Sequence, residues 1–353
     1  MSVSFRARHL WLATAALTPL LPLLIAAPAA HAQSPSQEAA DTAQEVIVTG
    51  TREKGRTRYE SLTPVDVVTA KAVQDGASSE LADNLAQVIP SLQVLKLPSS
   101  DGLQFIRPAR LRGLSSDQTL VLINGKRFHR SAFLGQRGAQ GADLNKISSL
   151  SVGRVEVLRD GASAQYGSDA IAGVINIQLD DRPGGAAYVQ ASQYYEGDGE
   201  TLRAGVKAGQ RFDAGFVTAS LEWADAGMTS RSHQRQDAID YMKANPGVVL
   251  PDPVQRWGAP DTKNINFAIN GAVNVGFGEL YGFATAANGE GINDINWRIP
   301  SATSNASVYK TVPTFPGWDL KSVYPLGFTP REQAKYKDYQ AVAGLRGGEG
   351  NFT

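Results

Sequence analysis

RVEVLRDGASAQYGSDAIAGVINI, residues 154–177, decides the fold. A β-branched run, Arg154 to Leu158, breaks at Asp160-Gly161, passes an Ala/Ser-rich turn to Tyr166-Gly167, and re-enters an apolar run at Val174 to Ile177. The two glycine dipeptides punctuate two strands. Upstream, Thr119 to Ile123 is a further apolar run, and Asn124-Gly125 before Lys126-Arg127 is a tight hairpin turn. Pro64 to Thr69 is a strand candidate. Ser78 or Ser79 caps a helix that carries Leu81, Leu85, Val88 and Ile89 on one face and stops at Pro90.

The 353 residues hold 34 basic and 34 acidic side chains and no cysteine. Near-neutrality argues against nucleic acid, which demands a clustered basic surface. Without cysteine there is no disulfide framework and no thiol chemistry. After residue 32 the only histidines are His129 and His233, so the sequence offers no zinc or iron site and no cofactor is expected. No G-x-S-x-G elbow or other catalytic constellation appears, and an enzyme is not expected.

Arg6, Arg8 and His9 precede an apolar stretch from Leu10 to about Ala27, followed by Ala30-His31-Ala32. That order is a secretory signal peptide with cleavage near Ala32. No later segment is apolar for long enough to be a membrane helix, so an integral membrane role requires strands. Residues 33–44 are small, polar and aperiodic, and read as a tether. Within it Glu45-Val46-Ile47-Val48-Thr49-Gly50 is an isolated β-branched run. A free strand of this kind can add to the sheet edge of a partner, or serve as a strand of the following domain.

Beyond Asp180-Asp181-Arg182-Pro183 the pattern changes. Residues 202–212, 216–223 and 264–277 alternate apolar with polar: Leu202, Val206, Val217, Leu221, Ile265 and Phe267 against Arg203, Lys207, Ser220, Glu222, Asn264 and Asn266. This dyad suits a transmembrane β-barrel, with a soluble β-sandwich as the alternative. Connections fall into tight turns near 213 and 278 and long loops at 224–263 and 288–337. If the strand from 186 rises from the periplasm, both long loops lie outside, an asymmetry that barrels have and sandwiches lack.

EVIVTG with Thr51-Arg52, the run from Arg112-Gly113-Leu114 to TLVLINGKR, Gly141 to Ile147, and the 154–177 stretch together resemble the TonB-dependent outer-membrane receptors. The resemblance covers roughly residues 45–180. It implies an α+β plug domain whose last strand feeds directly into an antiparallel transmembrane β-barrel. The expected organisation is 1–32 signal peptide, 33–51 tether with TonB box, 52–182 plug and 183–353 the first part of a barrel. In the resemblance, Glu45, Val46, Ile47, Val48, Thr49 and Gly50 are what TonB captures, with ExbB and ExbD acting through it. Arg112 and Arg154 would pair with glutamates of the inner wall and lock the plug, because a desolvated guanidinium demands a carboxylate. An intradomain pair of Arg154 with Glu156 or Asp160 is the alternative. Lys126, Arg127, His129, Arg130 and Arg137 form a basic cluster that would face an anionic solute from the plug apex, or else a solvated loop.

The function so implied is binding a scarce, large extracellular solute in the outer membrane and importing it with energy delivered through TonB. Siderophore, vitamin and oligosaccharide remain open as the solute. A passive porin and a soluble periplasmic plug-type module are the alternatives. About six spanning strands of about 10 residues can be drawn after the plug, against about 22 in closed plugged transporters. The wall is therefore expected to be about a quarter built.

Overall fold

The computed structural model describes Thr49 and residues 64–76, 78, 80–97, 100–135, 138–300 and 320–347. The expected signal peptide, the tether, Arg137 and all of the 45–50 segment except Thr49 lie outside the described residues.

The first part is a mixed sheet with helices packed on both of its faces. Its elements are β1 (Val65–Thr69), α1 (Ala70–Gln74), α2 (Leu81–Val88), β2 (Leu92–Val94), β3 (Ala109–Leu111), β4 (Thr119–Ile123), β5 (Lys126–Arg127), β6 (Val152–Leu158), α3 (Ser163–Tyr166) and β7 (Gly173–Leu179). Sheet order is β1-β6-β7-β4-β5, with β4 and β7 parallel and the other pairs antiparallel. The pairing explains why β4 is buried at every position, since a strand inside a sheet covered on both faces needs no polar side. Val121 and Ile123 pack with Leu85, Ile147, Val155 and Ile177 on one face. Leu120 and Leu122 pack with Val65, Leu158 and Val174 on the other. Asn124 and Gly125 take φ of 48° and 74°, the left-handed pair that a two-residue hairpin requires.

Two details of α2 depart from the sequence reading. Glu80 is the N-cap residue and makes no side-chain cap bond; the Ser78 hydroxyl instead accepts from the Glu80 amide at 3.1 Å and donates to Asp83 at 2.8 Å. Val88, expected on the apolar face, is 43 % exposed, while Leu81, Leu85 and Ile89 are buried.

After Asp180–Pro183 the chain forms a six-stranded antiparallel meander: β8 (Gly184–Ser192), β9 (Thr201–Phe212), β10 (Gly215–Ala226), β11 (Asp261–Asn274), β12 (Glu279–Asp294) and β13 (Arg331–Arg346). Tight turns join β9 to β10 and β11 to β12 at one end. Long loops, one carrying α4 (Gln236–Ala244), join β10 to β11 and β12 to β13 at the other. Val275 and Phe277, read as strand residues, fall in the tight turn.

Burial on this sheet is inverted relative to a soluble protein. Val206, Leu221 and Ile269 stand 51 %, 41 % and 38 % exposed on the outer face, whereas Arg203, Glu222 and Asn270 are each 8 % exposed on the face turned to the first domain. A sandwich buries its apolar face, because that is where the hydrophobic gain lies. A wall with its polar face packed and its apolar face open is built for lipid outside. No helix among the described residues is long and apolar enough to cross a membrane.

Candidate functional site: the plug–wall interface and the loop-end cavity

Thr49 is fully buried although it belongs to a polar tether. Its amide donates to Glu156 Oε2 at 2.9 Å, and its Oγ1 accepts from Asn176 Nδ2 at 2.9 Å. Glu156 and Asn176 are directly opposed on β6 and β7, so Thr49 sits across one rung of the central ladder. Glu156 is itself fully buried and paired with Arg154 at 3.0 Å.

The wall grips this domain mainly through a carboxylate on β10. Glu222 accepts from Ser148 Oγ at 2.5 Å, Ser149 Oγ at 2.6 Å, the Leu150 amide at 3.3 Å and Tyr188 OH at 2.6 Å. Arg203 lies 3.5 Å from it. Four donors and a guanidinium compensate a charge that burial would otherwise penalise heavily. At the junction with β8, Asp180 binds Arg182 at 2.7 Å and the Lys207 ammonium, and its carbonyl accepts from Thr218 Oγ1 at 2.7 Å. Burial works to raise the Asp180 carboxyl, but the bonds from Arg182 and Lys207 outweigh it and hold the group below the usual range.

Further contacts climb toward the long-loop end. Asn124 donates to Asn270 at 3.1 Å, Gln340 to the Arg127 carbonyl at 3.0 Å, and Asn266 to the Asn145 carbonyl at 2.9 Å. His129 Nε2 meets Asp338 at 2.6 Å, and Lys146 lies 3.0 Å over the Tyr336 ring. Nearest the loops, Gln104 bridges Asn293 and Glu332, both at 2.6 Å. There a cavity of about 580 Å³ opens between Glu80, Asp83, Lys96 and Arg107 on one side and Tyr194 and Thr229 of the loops on the other. Glu80 is desolvated, which alone would raise its pKa, yet Arg107 at 2.8 Å and Lys96 at 2.9 Å hold it at about 2. The cavity floor is thus a closed ion-pair network of both signs.

Two expectations can be set beside the described contacts. Arg112 donates to the carbonyls of Ala172 and Ile171, each at 3.2 Å, and the described ion pair of Arg154 is to Glu156. Both sets of described contacts lie inside the domain, the Arg154–Glu156 pair being the intradomain alternative, and Glu222 of the described wall is met by serines. The basic residues do not gather at an apex either. Lys126 stands 5.8 Å from the Tyr281 ring at the tight-turn end, Arg127 and Arg130 both bind Asp169, and His129 binds Asp338. The chain climbs along the wall here, so each of these residues meets a different partner; only at Phe133, whose ring lies 6.4 Å from that of Phe105, does it reach the loop end. Arg137 is outside the described residues. Sequence reading missed Glu222, although one signal was present: it is the sole acid among the inward positions Phe216, Thr218, Ser220 and Glu222. Among the described residues no three His, Asp or Glu side chains converge as a metal site.

Residues 57–174 match the family model described as TonB-dependent Receptor Plug Domain. The chain is 36 % identical over 126 residues to the vitamin B12 transporter BtuB of Vibrio cholerae, a match covering 31 % of this chain and 20 % of that protein. To BtuB of Photobacterium profundum it is 30 % identical over 186 residues, covering 52 % and 29 %. Among solved structures, a ferric enterobactin receptor (PfeA) mutant from Pseudomonas aeruginosa superposes with a TM-score of 0.49 at 18 % identity, covering 79 % of this chain and 38 % of that one. The chain thus matches only about a fifth to under a third of the length of these curated relatives. Residues 57–174 are similar to the plug domains of the TonB-dependent receptors.

Proposed function

We propose that this chain forms the plug and the first wall strands of an outer-membrane receptor that takes up a large, scarce solute using energy delivered through TonB. The observation that carries the reading is the inverted wall: an apolar outer face suited to lipid and a polar inner face clamped on a plug through Glu222. A porin has no need of a folded insert fixed by so many polar bonds. The loop-end cavity is where solute would first meet the plug, and solute binding and plug displacement require only non-covalent contacts. The vitamin and siderophore receptors among its relatives fit this reading, and the solute of this chain is to be found by a binding panel across those classes. Glu45 to Gly50 is the TonB-binding strand, with residues 1–32 removed on export.

The test is Ile47→Pro. Proline removes one amide donor and fixes φ, so strand addition fails. Energised uptake should fall to background while surface binding of the same solute persists. Uptake at the parental rate refutes the reading.

A further inference from the structure

Arg203 of β9 touches both the floor of the loop-end cavity and the Glu222 clamp. Its Nη1 donates to the Ser78 carbonyl at 3.0 Å and to Gln190 Oε1 at 3.3 Å. Its Nη2 stands 3.5 Å from Glu222 Oε1, and the guanidinium lies 5.2 Å over the Tyr188 ring. A hydrogen-bonded guanidinium and carboxylate close to about 2.7–2.9 Å, so this pair is held short of contact. The bond to Ser78, a residue that lines the cavity, does the holding. Ser78 is in turn fixed by Asn84 of α2, which is 2 % exposed; the Asn84 amide donates to the Ser78 carbonyl and its oxygen accepts from the Ser78 amide, both at 3.1 Å. Gly76 leaves room for this arrangement, since a Cβ there would overlap the Asn84 carboxamide.

Arg203 has space for the missing step. A cavity of about 60 Å³ lies between Glu80, Tyr188, Arg203, Glu222 and Asn266. The carboxylate itself is full: it offers about four lone-pair sites, and Ser148, Ser149, the Leu150 amide and Tyr188 occupy them. A guanidinium that closes on Glu222 with its fork must displace one donor from each oxygen. Bidentate charge-assisted bonds outrank bonds from neutral donors. On Oε2 the Leu150 amide, at 3.3 Å, is the longest contact and leaves first. The wall then holds a pair of its own in place of contacts to the plug.

We propose that Arg203 is a two-position residue: it rests on the Ser78 carbonyl while the loop-end cavity is empty, and closes on Glu222 when a solute displaces that carbonyl, which frees the 148–150 turn of the plug from the wall. This rests on the receptor reading, in which the cavity is where solute first meets the plug. A solute needs only to fit better with the carbonyl displaced for its binding to drive the exchange, and the same linkage makes a loosened clamp raise its affinity.

The test moves Ser78 without a solute and reads the clamp by hydrogen exchange at the Leu150 amide, in the protein extracted in detergent. G76A pushes Asn84 off Ser78, and N84A removes its carboxamide. In either variant Leu150 should exchange about tenfold faster, the equivalent of about one hydrogen bond. Val121, in the plug core, should keep its parental rate. In an R203M background the same two changes should leave Leu150 where R203M alone puts it. Parental exchange at Leu150 in both variants overturns the proposal. So does an equal acceleration with and without Arg203, or a matching rise at Val121, either of which marks general loosening of the plug. The measurement needs neither solute nor TonB, so its failure overturns the two-position residue alone. Parental uptake in Ile47→Pro overturns the receptor reading whatever Leu150 does.

Discussion

Glu222→Gln should loosen the plug more than loss of either arginine that sequence reading nominated. The carboxylate takes two donors on each oxygen: Ser148 Oγ and the Leu150 amide on Oε2, Ser149 Oγ and Tyr188 OH on Oε1. Glutamine has one acceptor oxygen. The Leu150 amide cannot reverse its role, so the amide oxygen must stay on that side and the NH₂ must face Ser149 and Tyr188, whose hydroxyls then turn to accept. Three charge-assisted bonds between wall and plug become neutral ones, at a loss of about 1 kcal/mol each, partly offset by no longer burying a charge. The Tyr188 bond and the Arg203 contact lie within the wall and do not count toward plug release. The net effect on plug release is about 2 to 3 kcal/mol. With a urea dependence of about 1 to 3 kcal/mol/M, the midpoint for plug release should fall by about 1 M or more. Planar-bilayer conductance of the protein during a urea titration reads that midpoint. Ser148→Ala in both backgrounds supplies the double-mutant cycle, with a coupling of about 1 kcal/mol expected. Arg112→Ala and Arg154→Ala should shift the midpoint less, because their described contacts stay within the plug. An unchanged midpoint in Glu222→Gln with zero coupling to Ser148 would refute the assignment of this carboxylate as the lock.

Thr49→Val keeps the shape of the side chain and removes the oxygen that Asn176 donates to; at about 1.4 kcal/mol per lost bond the amide of residue 49 should exchange about tenfold faster with solvent, and unaltered exchange would show that the anchor lies elsewhere. His129 is raised above its ordinary 6.5 by its bond to Asp338. Its contribution to plug seating is therefore complete below that ordinary value and is lost as pH rises through the raised one. The plug-release midpoint should fall from pH 6 toward pH 8, and His129→Gln should flatten that slope; a parental slope in the variant excludes this histidine as its source.

The 154–177 stretch was legible because its strands are local: β6 and β7 are fixed by short β-branched runs and the glycines between them. The wall was legible for the same kind of reason, a strict period of two with lipid as the implied partner of one face. What failed was anything decided by partners far apart in sequence. For Arg154 the sequence left a wall glutamate and an intradomain carboxylate both open; the described pair is with Glu156, two residues away on its own strand and fully buried. The basic residues from Lys126 to Arg130 look like a patch only while they are printed side by side. Along a rising chain they are several ångströms apart per step and collect Tyr281, Asp169 and Asp338 in turn. The Glu222 clamp needed the register of β10 against a serine turn 72 to 74 residues earlier, which no local pattern encodes.

Thr49 bridging Glu156 and Asn176 has a mechanical consequence. Among the described residues, tension applied to the tether meets that rung first, in the middle of the plug sheet, and four residues beyond Asn176 the chain is pinned to the wall through Asp180. The line of load therefore runs from tether to wall through β6 and β7 and bypasses β4, β5 and the helices. Beyond Thr49 the next described element along the chain is β1, an edge strand held by a single five-residue ladder to β6. An edge strand leaves without breaking a second ladder, while β7 remains moored. Under traction such a plug peels from one seam, opening a passage beside β1 before the remainder of the domain has to move.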